Sequence, residues 1–315
     1  MPEPALVTGA LGCIGAWTVK ALLDEGAPVV AFDLGENRSR LELVLSAEEL
    51  GRVAFVQGDV TDLAALDRVL DEREIGRVVH LAALQVPFCR ADPALGARVN
   101  VVGTVNVFEA VKRRGGQIPL VAYASSTAVY GPDDPSPAPE SGGRQPATHY
   151  GVYKTANEGT ARVYFTDDGV PSIGIRPYVV YGPGRDQGMT AGPTLAMAAA
   201  ARGEAFEIGY GGRAQYDYAR DVGAAFAAAS RAGYRGVGVF NFPGAQAHMS
   251  EVVSAIEAAA PEVAGTITFV DRQLPFPPEL ESGGLEAAVG ALRLTPLTEG
   301  VRETVERLRA LALSR

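Results

Sequence analysis

Tyr150 and Lys154 stand at i and i+4 in Tyr150-Gly151-Val152-Tyr153-Lys154, a spacing that places both on one face of a helix. A phenol with its ordinary pKa of ~10 is a poor base at neutral pH. A nearby ammonium and a nicotinamide cation would favour the phenolate. The tyrosine can then take the proton of an alcohol while hydride leaves its carbon. The lysine can also hold the nicotinamide ribose. Ser126 follows an apolar run and can hydrogen-bond the reacting oxygen. Taken alone, the pair is also what an ordinary amphipathic surface helix carries.

A second stretch decides between those readings. Leu6-Val7-Thr8-Gly9-Ala10-Leu11-Gly12-Cys13-Ile14-Gly15 is a short apolar run ending in glycines spaced G-x-x-G-x-x-G, with an amphipathic segment directly after it. It reads as strand, tight turn and helix start, where backbone N–H groups and the helix N-terminus favour a pyrophosphate. Asp33 ends the next apolar run, at about the distance where an acid grips the adenosine ribose of NAD. An acid there repels a 2′-phosphate, so NAD is expected over NADP.

These residues need a scaffold, and the chain supplies one by alternation. Strands are expected at 5–8, 28–33, 53–57, 77–81, 120–124 and 172–176, and helices at 14–25, 63–71, 93–113 and 149–166. Such alternation makes βαβ units and a parallel sheet covered on both faces. Ligands of these sheets bind at the carboxyl ends of the strands, where Asp33, Asp59, Ala82 and Ser126 fall. Residues 131–146 and 177–193 read as loops. The remainder is mixed, with helices expected at 194–202, 222–232 and 250–259 and short strands near 206–208 and 237–240. The fold class is therefore α/β, a doubly wound parallel sheet with a smaller mixed α/β substrate-binding lobe. Residues 1–176 are assigned to the nucleotide domain and 177–315 mostly to the lobe, with segments returning to the sheet.

Composition narrows the function. The net charge is −9 and the pI about 5.0, which argues against nucleic acid or an anionic membrane as partner. No apolar run reaches the length of a membrane span, and the first strand begins too early to leave room for a signal peptide. Cys13 and Cys89 have no metal or redox spacing, so no metal and a cytoplasmic location are expected. The scattered His80, His149 and His248 read as a packed histidine, a helix-start residue and a structural residue.

The chain resembles the extended short-chain dehydrogenase/reductases, the NAD-dependent sugar epimerases and dehydratases, over nearly its whole length. The carriers are Thr8–Gly15, Gly58-Asp59-Val60, His80-Leu81-Ala82-Ala83, Asn100 to Thr104, Tyr123 to Gly131, Tyr150-x-x-x-Lys154 and Arg176 to Pro183. The resemblance implies a Rossmann domain, a homodimer built on the helices at 93–113 and 149–166, and Tyr150, Lys154 and Ser126 as catalytic residues. It implies a cofactor site of Gly9, Gly12, Cys13, Ile14, Gly15, Asp33, Asp59, Val60, Leu81, Ala82, Ala83, Asn100, Tyr150, Lys154, Pro177 and Tyr178. Substrate contacts would come from Ser125, Ser126, Thr127, Tyr150, Val179 and Arg185. Departures matter too. Thr127-Ala128 stands where dehydratases carry an acid, and Val179 where nucleotide-sugar epimerases usually carry Asn. Ala214 replaces an arginine that reads a diphosphate, a role open here to Arg185, Arg213 or Arg220. The leading expectation is an NAD-dependent oxidoreductase acting on a secondary alcohol of a sugar or sugar acid. The alternatives are a nucleotide-sugar epimerase working through a transient ketone, and a non-catalytic NAD-binding regulator.

Overall fold

The computed structural model describes residues 2–142 and 144–313. Twelve strands are numbered in chain order: β1 Ala5–Thr8, β2 Val29–Asp33, β3 Val53–Gln57, β4 Arg77–His80, β5 Val121–Ala124, β6 Ser172–Arg176, β7 Val179–Tyr181, β8 Phe206–Ile208, β9 Arg213–Tyr218, β10 Val237–Asn241, β11 Ala245–His248 and β12 Ile267–Phe269. Seven of them form one parallel sheet in the order β10-β6-β5-β4-β1-β2-β3. Its central strands are near-continuous apolar runs because helices bury both faces. The Cys13–Asp24 and Ala219–Ser230 helices cover one face through Trp17, Leu22, Val222 and Phe226. The Leu63–Glu72, Gly103–Lys112 and His149–Asp168 helices cover the other through Leu66, Val69, Phe108 and Ala161. Chain order reverses between β1 and β4, and a crevice opens at the carboxyl ends there, as such switch points require.

The second lobe holds a three-stranded sheet, β11-β9-β7, and the β12-β8 pair. Its own core gathers Tyr178, Val179, Tyr216, Ile256 and Val301. β10 belongs to the large sheet, pairing with β6 although it comes after the lobe's first strands.

Two expectations need correction. The helix expected over 93–113 is three pieces: Pro93–Ala97, a π-type turn Arg98–Val102, and Gly103–Lys112. The cause is Asn100, whose carbonyl accepts from Thr104 Oγ1 (2.7 Å) and Asn157 Nδ2 (2.9 Å); such side-chain insertion widens a helical turn. The supposed loop 177–193 contains β7, a short strand defined by its pairing with β9. A three-residue segment carries too little periodicity to announce that pairing.

Candidate active site

The cleft at the switch point has a volume of about 600 Å³. One end is the glycine turn. A Cβ on Gly15 would lie 2.2 Å from the Gly9 carbonyl oxygen, so only glycine lets the turn fold back on itself. The following helix has Gly12 at its N-cap, with no side chain bonded to its first N–H groups. Those donors remain for an anion. Asp33 braces the turn: Oδ2 accepts from Leu11 N (3.0 Å) and Oδ1 from Gly35 N (3.1 Å). A carboxylate has about four acceptor positions, so both oxygens keep capacity for hydroxyl donors. Uncapped helical N–H groups, a turn that admits no side chain and a braced acid together fit a dinucleotide. Asp59, Val60, Leu81, Ala82, Ala83, Pro177 and Tyr178 continue the same wall.

The other end is built on β5. After it come three hydroxyl residues with different fates. Ser125 donates to Glu158 Oε1 (2.6 Å), and Thr127 donates to the Pro177 carbonyl (3.1 Å). Ser126 accepts from Ala128 N (3.1 Å), and its hydroxyl lowers the pKa of the Tyr150 phenol. All three line the cleft, yet only the Ser126 hydroxyl faces Tyr150; the other two hold the strand.

Tyr150 and Lys154 come from the His149–Asp168 helix. Thr148 caps it, accepting from Gly151 N (3.0 Å). A Cβ on Gly151 would meet the Ala128 carbonyl at 2.0 Å, so glycine lets this helix press against the turn that follows Ser126. Lys154 Nζ donates to the Ala124 carbonyl (2.7 Å) and sits 5.5 Å from the Tyr150 ring centre. Burial pushes the ammonium down to about 8. Burial likewise pushes the Tyr150 phenol up to about 12, opposed by the Ser126 hydrogen bond and the Arg185 charge. In the chain itself, desolvation is the largest influence on the phenol, and the Arg185 charge opposes it.

Two assigned residues lie off the cleft. Asn100, expected against the cofactor, is 1% exposed. Its amide donates to the Gly96 (3.0 Å) and Leu84 (3.2 Å) carbonyls, tying the broken helix to the loop after β4. Val179, expected against the substrate, is fully buried in the lobe core. Alternation along β7 turns it away from its neighbours Tyr178 and Val180, which do line the cleft. Arg185 lies on the wall as expected.

The histidines stay outside the chemistry. His80 is the packed histidine expected, sitting between the Thr8 (2.7 Å) and Thr104 (3.0 Å) hydroxyls. Thr104 spends its proton on the Asn100 carbonyl, so His80 Nε2 carries the hydrogen. Burial holds this ring neutral, down to about 3. His149 is exposed and stacks on Tyr153, and His248 caps the Met249–Ala259 helix.

Sequence reasoning missed Gln85, Thr190 and Phe276, all on the cleft wall. Gln85 follows β4, so the carboxyl-edge rule could have found it. Phe276 arrives from a segment without periodicity and left no signal. Arg38 and Arg40 follow Asp33 in the chain, where a cation could offset its repulsion of a 2′-phosphate, but both are otherwise engaged. Arg38 covers the Phe55 ring, and Arg40 pairs with Asp186 (2.7 Å).

A model of the NAD dependent epimerase/dehydratase family matches residues 5–241. The chain is 38% identical over 189 residues to the UDP-glucose 4-epimerase of Mycolicibacterium smegmatis, 59% of each protein. It is 34% identical over 187 residues to UDP-glucuronate 4-epimerase 2 of Arabidopsis thaliana, covering 56% of this chain and 42% of that protein. The matched stretch thus spans about half the length of these relatives. In structure, the Thermus thermophilus UDP-glucose 4-epimerase in complex with NAD superposes with a TM-score of 0.80 at 27% identity, covering 97% of this chain and 99% of the other.

Proposed function

The chain belongs to the NAD dependent epimerase/dehydratase family, and from that premise we propose that it is an oxidoreductase moving hydride between NAD and a secondary alcohol of a carbohydrate-like substrate. The observation that carries the reading is the convergence of Ser126, Tyr150 and Lys154 on one wall of the crevice that begins at the glycine turn. NAD, when bound, supplies the hydride acceptor and donor. The N–H groups after Gly12 hold its pyrophosphate, Asp33 its adenosine ribose, and Asp59 to Val60 with Leu81 to Ala83 the surrounding wall. Residues 1–176 carry that site, and the lobe from 177 onward encloses the substrate.

Tyr150 is the acid/base. Its hydroxyl takes the carbinol proton on oxidation and returns it on reduction. Ser126 hydrogen-bonds the same oxygen and holds it at Tyr150. Burial keeps the phenol protonated at rest, so added positive charge in the cleft is needed to draw the proton off. Lys154, anchored on the Ala124 carbonyl, presents its remaining ammonium protons to the cofactor ribose.

A second reading keeps the same residues: an epimerase, in which hydride returns to the opposite face of a transient ketone. The 4-epimerase names of its relatives favour it. Following NADH absorbance with candidate sugars separates the two. Net accumulation marks the dehydrogenase; product epimer without NADH marks the epimerase. Failure of NAD to bind would sink both and leave the regulator reading no better placed.

Assembly as a homodimer is part of the same proposal, with a changed interface. Val107 and Phe108, apolar residues of the helix expected to meet a partner, are 2% and 0% exposed in their own core. Val163, expected there too, is 52% exposed, and Val102 and Val152 are about half exposed on the same expected helices, with Phe88 and Leu95 also exposed. An apolar face of that kind favours a second copy, and a monomer by light scattering would count against it. Free Cys13 and Cys89 suit a reducing cytoplasm, and no described helix is long and apolar enough to cross a membrane.

A further inference from the structure

The cleft contains a cation without a counter-ion. Arg185 Nη2 donates to Thr190 Oγ1 (3.1 Å), while its Nε is buried with no partner. Among the described residues Arg185 makes no ion pair. Across from it, Gln85 Oε1 is also buried and unpaired. The two groups converge on Gly188: a Cβ there would lie 2.2 Å from Gln85 Oε1 and 3.1 Å from Arg185 Nη2. Buried polar atoms are rarely left unsatisfied, and a pair of opposite hydrogen-bonding character on one wall calls for a ligand that answers both. Arg185 and Gln85 line the same cleft as Ser126 and Tyr150, so a ligand that answers the first two is within reach of the reacting groups.

The other cations of the wall are spoken for: Arg40 by Asp186 and Lys154 by the Ala124 carbonyl. The alternatives for reading a diphosphate have gone elsewhere. Ala214 is 1% exposed in the lobe core. Arg213 points outward, 3.9 Å from Glu279. Arg220 binds Glu303 (2.9 Å) and Thr295 (2.9 Å). The cleft volume of about 600 Å³ must also hold a dinucleotide, when one drug-sized ligand alone occupies about 300–1,000 Å³. A single free guanidinium suits one carboxylate, which it grips in bidentate fashion.

Resting on the oxidoreductase reading of this cleft, we infer that the substrate is a free polyhydroxylated carboxylic acid, its carboxylate received by Arg185 and one hydroxyl donating to Gln85 Oε1. The acid group fixes which carbinol reaches Ser126 and Tyr150. A nucleotide-linked sugar would find only one free guanidinium for its two phosphates among the described residues of the wall, and it is the competing outcome of the test.

Calorimetry on the full chain with NAD present tests it with matched probes: galacturonate and glucuronate against galactose and glucose, and UDP-galactose. The acids are expected to bind at least tenfold tighter than the neutral sugars. Arg185→Met should collapse that ratio to near one, Arg185→Lys should restore part of it, and Gln85→Ala should weaken the acids several-fold. Equal binding of acids and neutral sugars, preferred binding of UDP-galactose, or an unchanged ratio in Arg185→Met would overturn the inference. NADH and epimer formation with the same probes report separately on the chemistry. Turnover of a neutral or UDP-linked sugar alongside failed acid binding leaves the oxidoreductase reading standing and removes only the carboxylate. If the acids bind through Arg185 yet no probe reacts, the catalytic reading fails instead.

Discussion

Arg176 and Arg185 are near neighbours in the chain with opposite surroundings. Arg176 is fully buried beneath the cleft. Its Nε and Nη2 meet the two Glu158 carboxylate oxygens at 2.7 and 2.9 Å. Its Nη1 donates to the Tyr130 hydroxyl (2.6 Å) and the Glu140 carbonyl (3.1 Å). Glu158 in turn accepts from Ser125, so this network joins β6, the end of β5 and the helix that carries Tyr150. Arg185, on the lip, has one hydrogen bond to protein and an orphaned Nε. The contrast separates two uses of one residue type. A guanidinium with its donors matched fixes a scaffold. One with donors unmet holds its capacity for what enters the cleft, at a cost to stability that the rest of the fold offsets.

The sharpest cut between floor and lip is Tyr150→Phe, at their junction. It removes the proton carrier and leaves the ring, so turnover should fall by about 10² to 10⁴ while NAD affinity and thermal midpoint stay close to wild type. Near-normal turnover would hand the role to another residue, Tyr153 first.

Arg176→Met and Arg185→Met test the contrast directly. Breaking the buried pair from one side leaves Glu158 with only the more exposed Arg144 (3.1 Å), a loss at the lower end of roughly 3–5 kcal/mol. The double variant Arg176→Met/Glu158→Met should regain much of it. Arg185→Met should not destabilise the fold, having no ion pair to lose and an unmet buried donor to remove. Similar losses from denaturant titration of both variants would erase the distinction.

Ser126→Ala belongs to the chemistry, although its neighbours belong to the floor. The sequence alone suggests a mild effect, with Ser125 or Thr127 standing in. Since Ser125 is committed to Glu158 and Thr127 to the Pro177 carbonyl, neither replaces it, and turnover should drop by about 10². A loss under threefold would show that a neighbour does rotate in.

The smallest effect is on pH dependence. Lys154 titrates at about 8 in the folded chain, pushed down by burial, and near its ordinary ~10.4 when unfolded. Between those values the unfolded chain binds more protons, so this group makes stability rise with pH across that window. Lys154→Met should flatten that rise in melts taken from pH 7.5 to 10. An unchanged slope would mean that the ammonium is better solvated than its surroundings imply.

Much of the site was legible because its signals are local. A turn that must fold back on itself requires glycine, a helix places i and i+4 on one face, and strands buried on both faces are apolar throughout. Those rules located β1 to β6, the glycine turn, Asp33, Ser126, Tyr150 and Lys154. They did not reach β7, β9 or β11, whose identity lies in pairing between distant segments. Nor did they reveal that Asn100 props a helix break or that Val179 turns into the lobe core.

What the sequence determined by itself is the cradle and the Ser126–Tyr150–Lys154 set, because each is written in a few consecutive residues whose backbone geometry follows from their types. What only the tertiary structure decided is how each side chain is spent. Glu158, Tyr130 and Glu140 come from separate segments to occupy Arg176, and no acid among the described residues comes to Arg185, where Gln85 arrives instead. Whether a charge is a strut or a hand held out depends on partners that the fold alone brings within about 3 Å, the reach of a hydrogen bond.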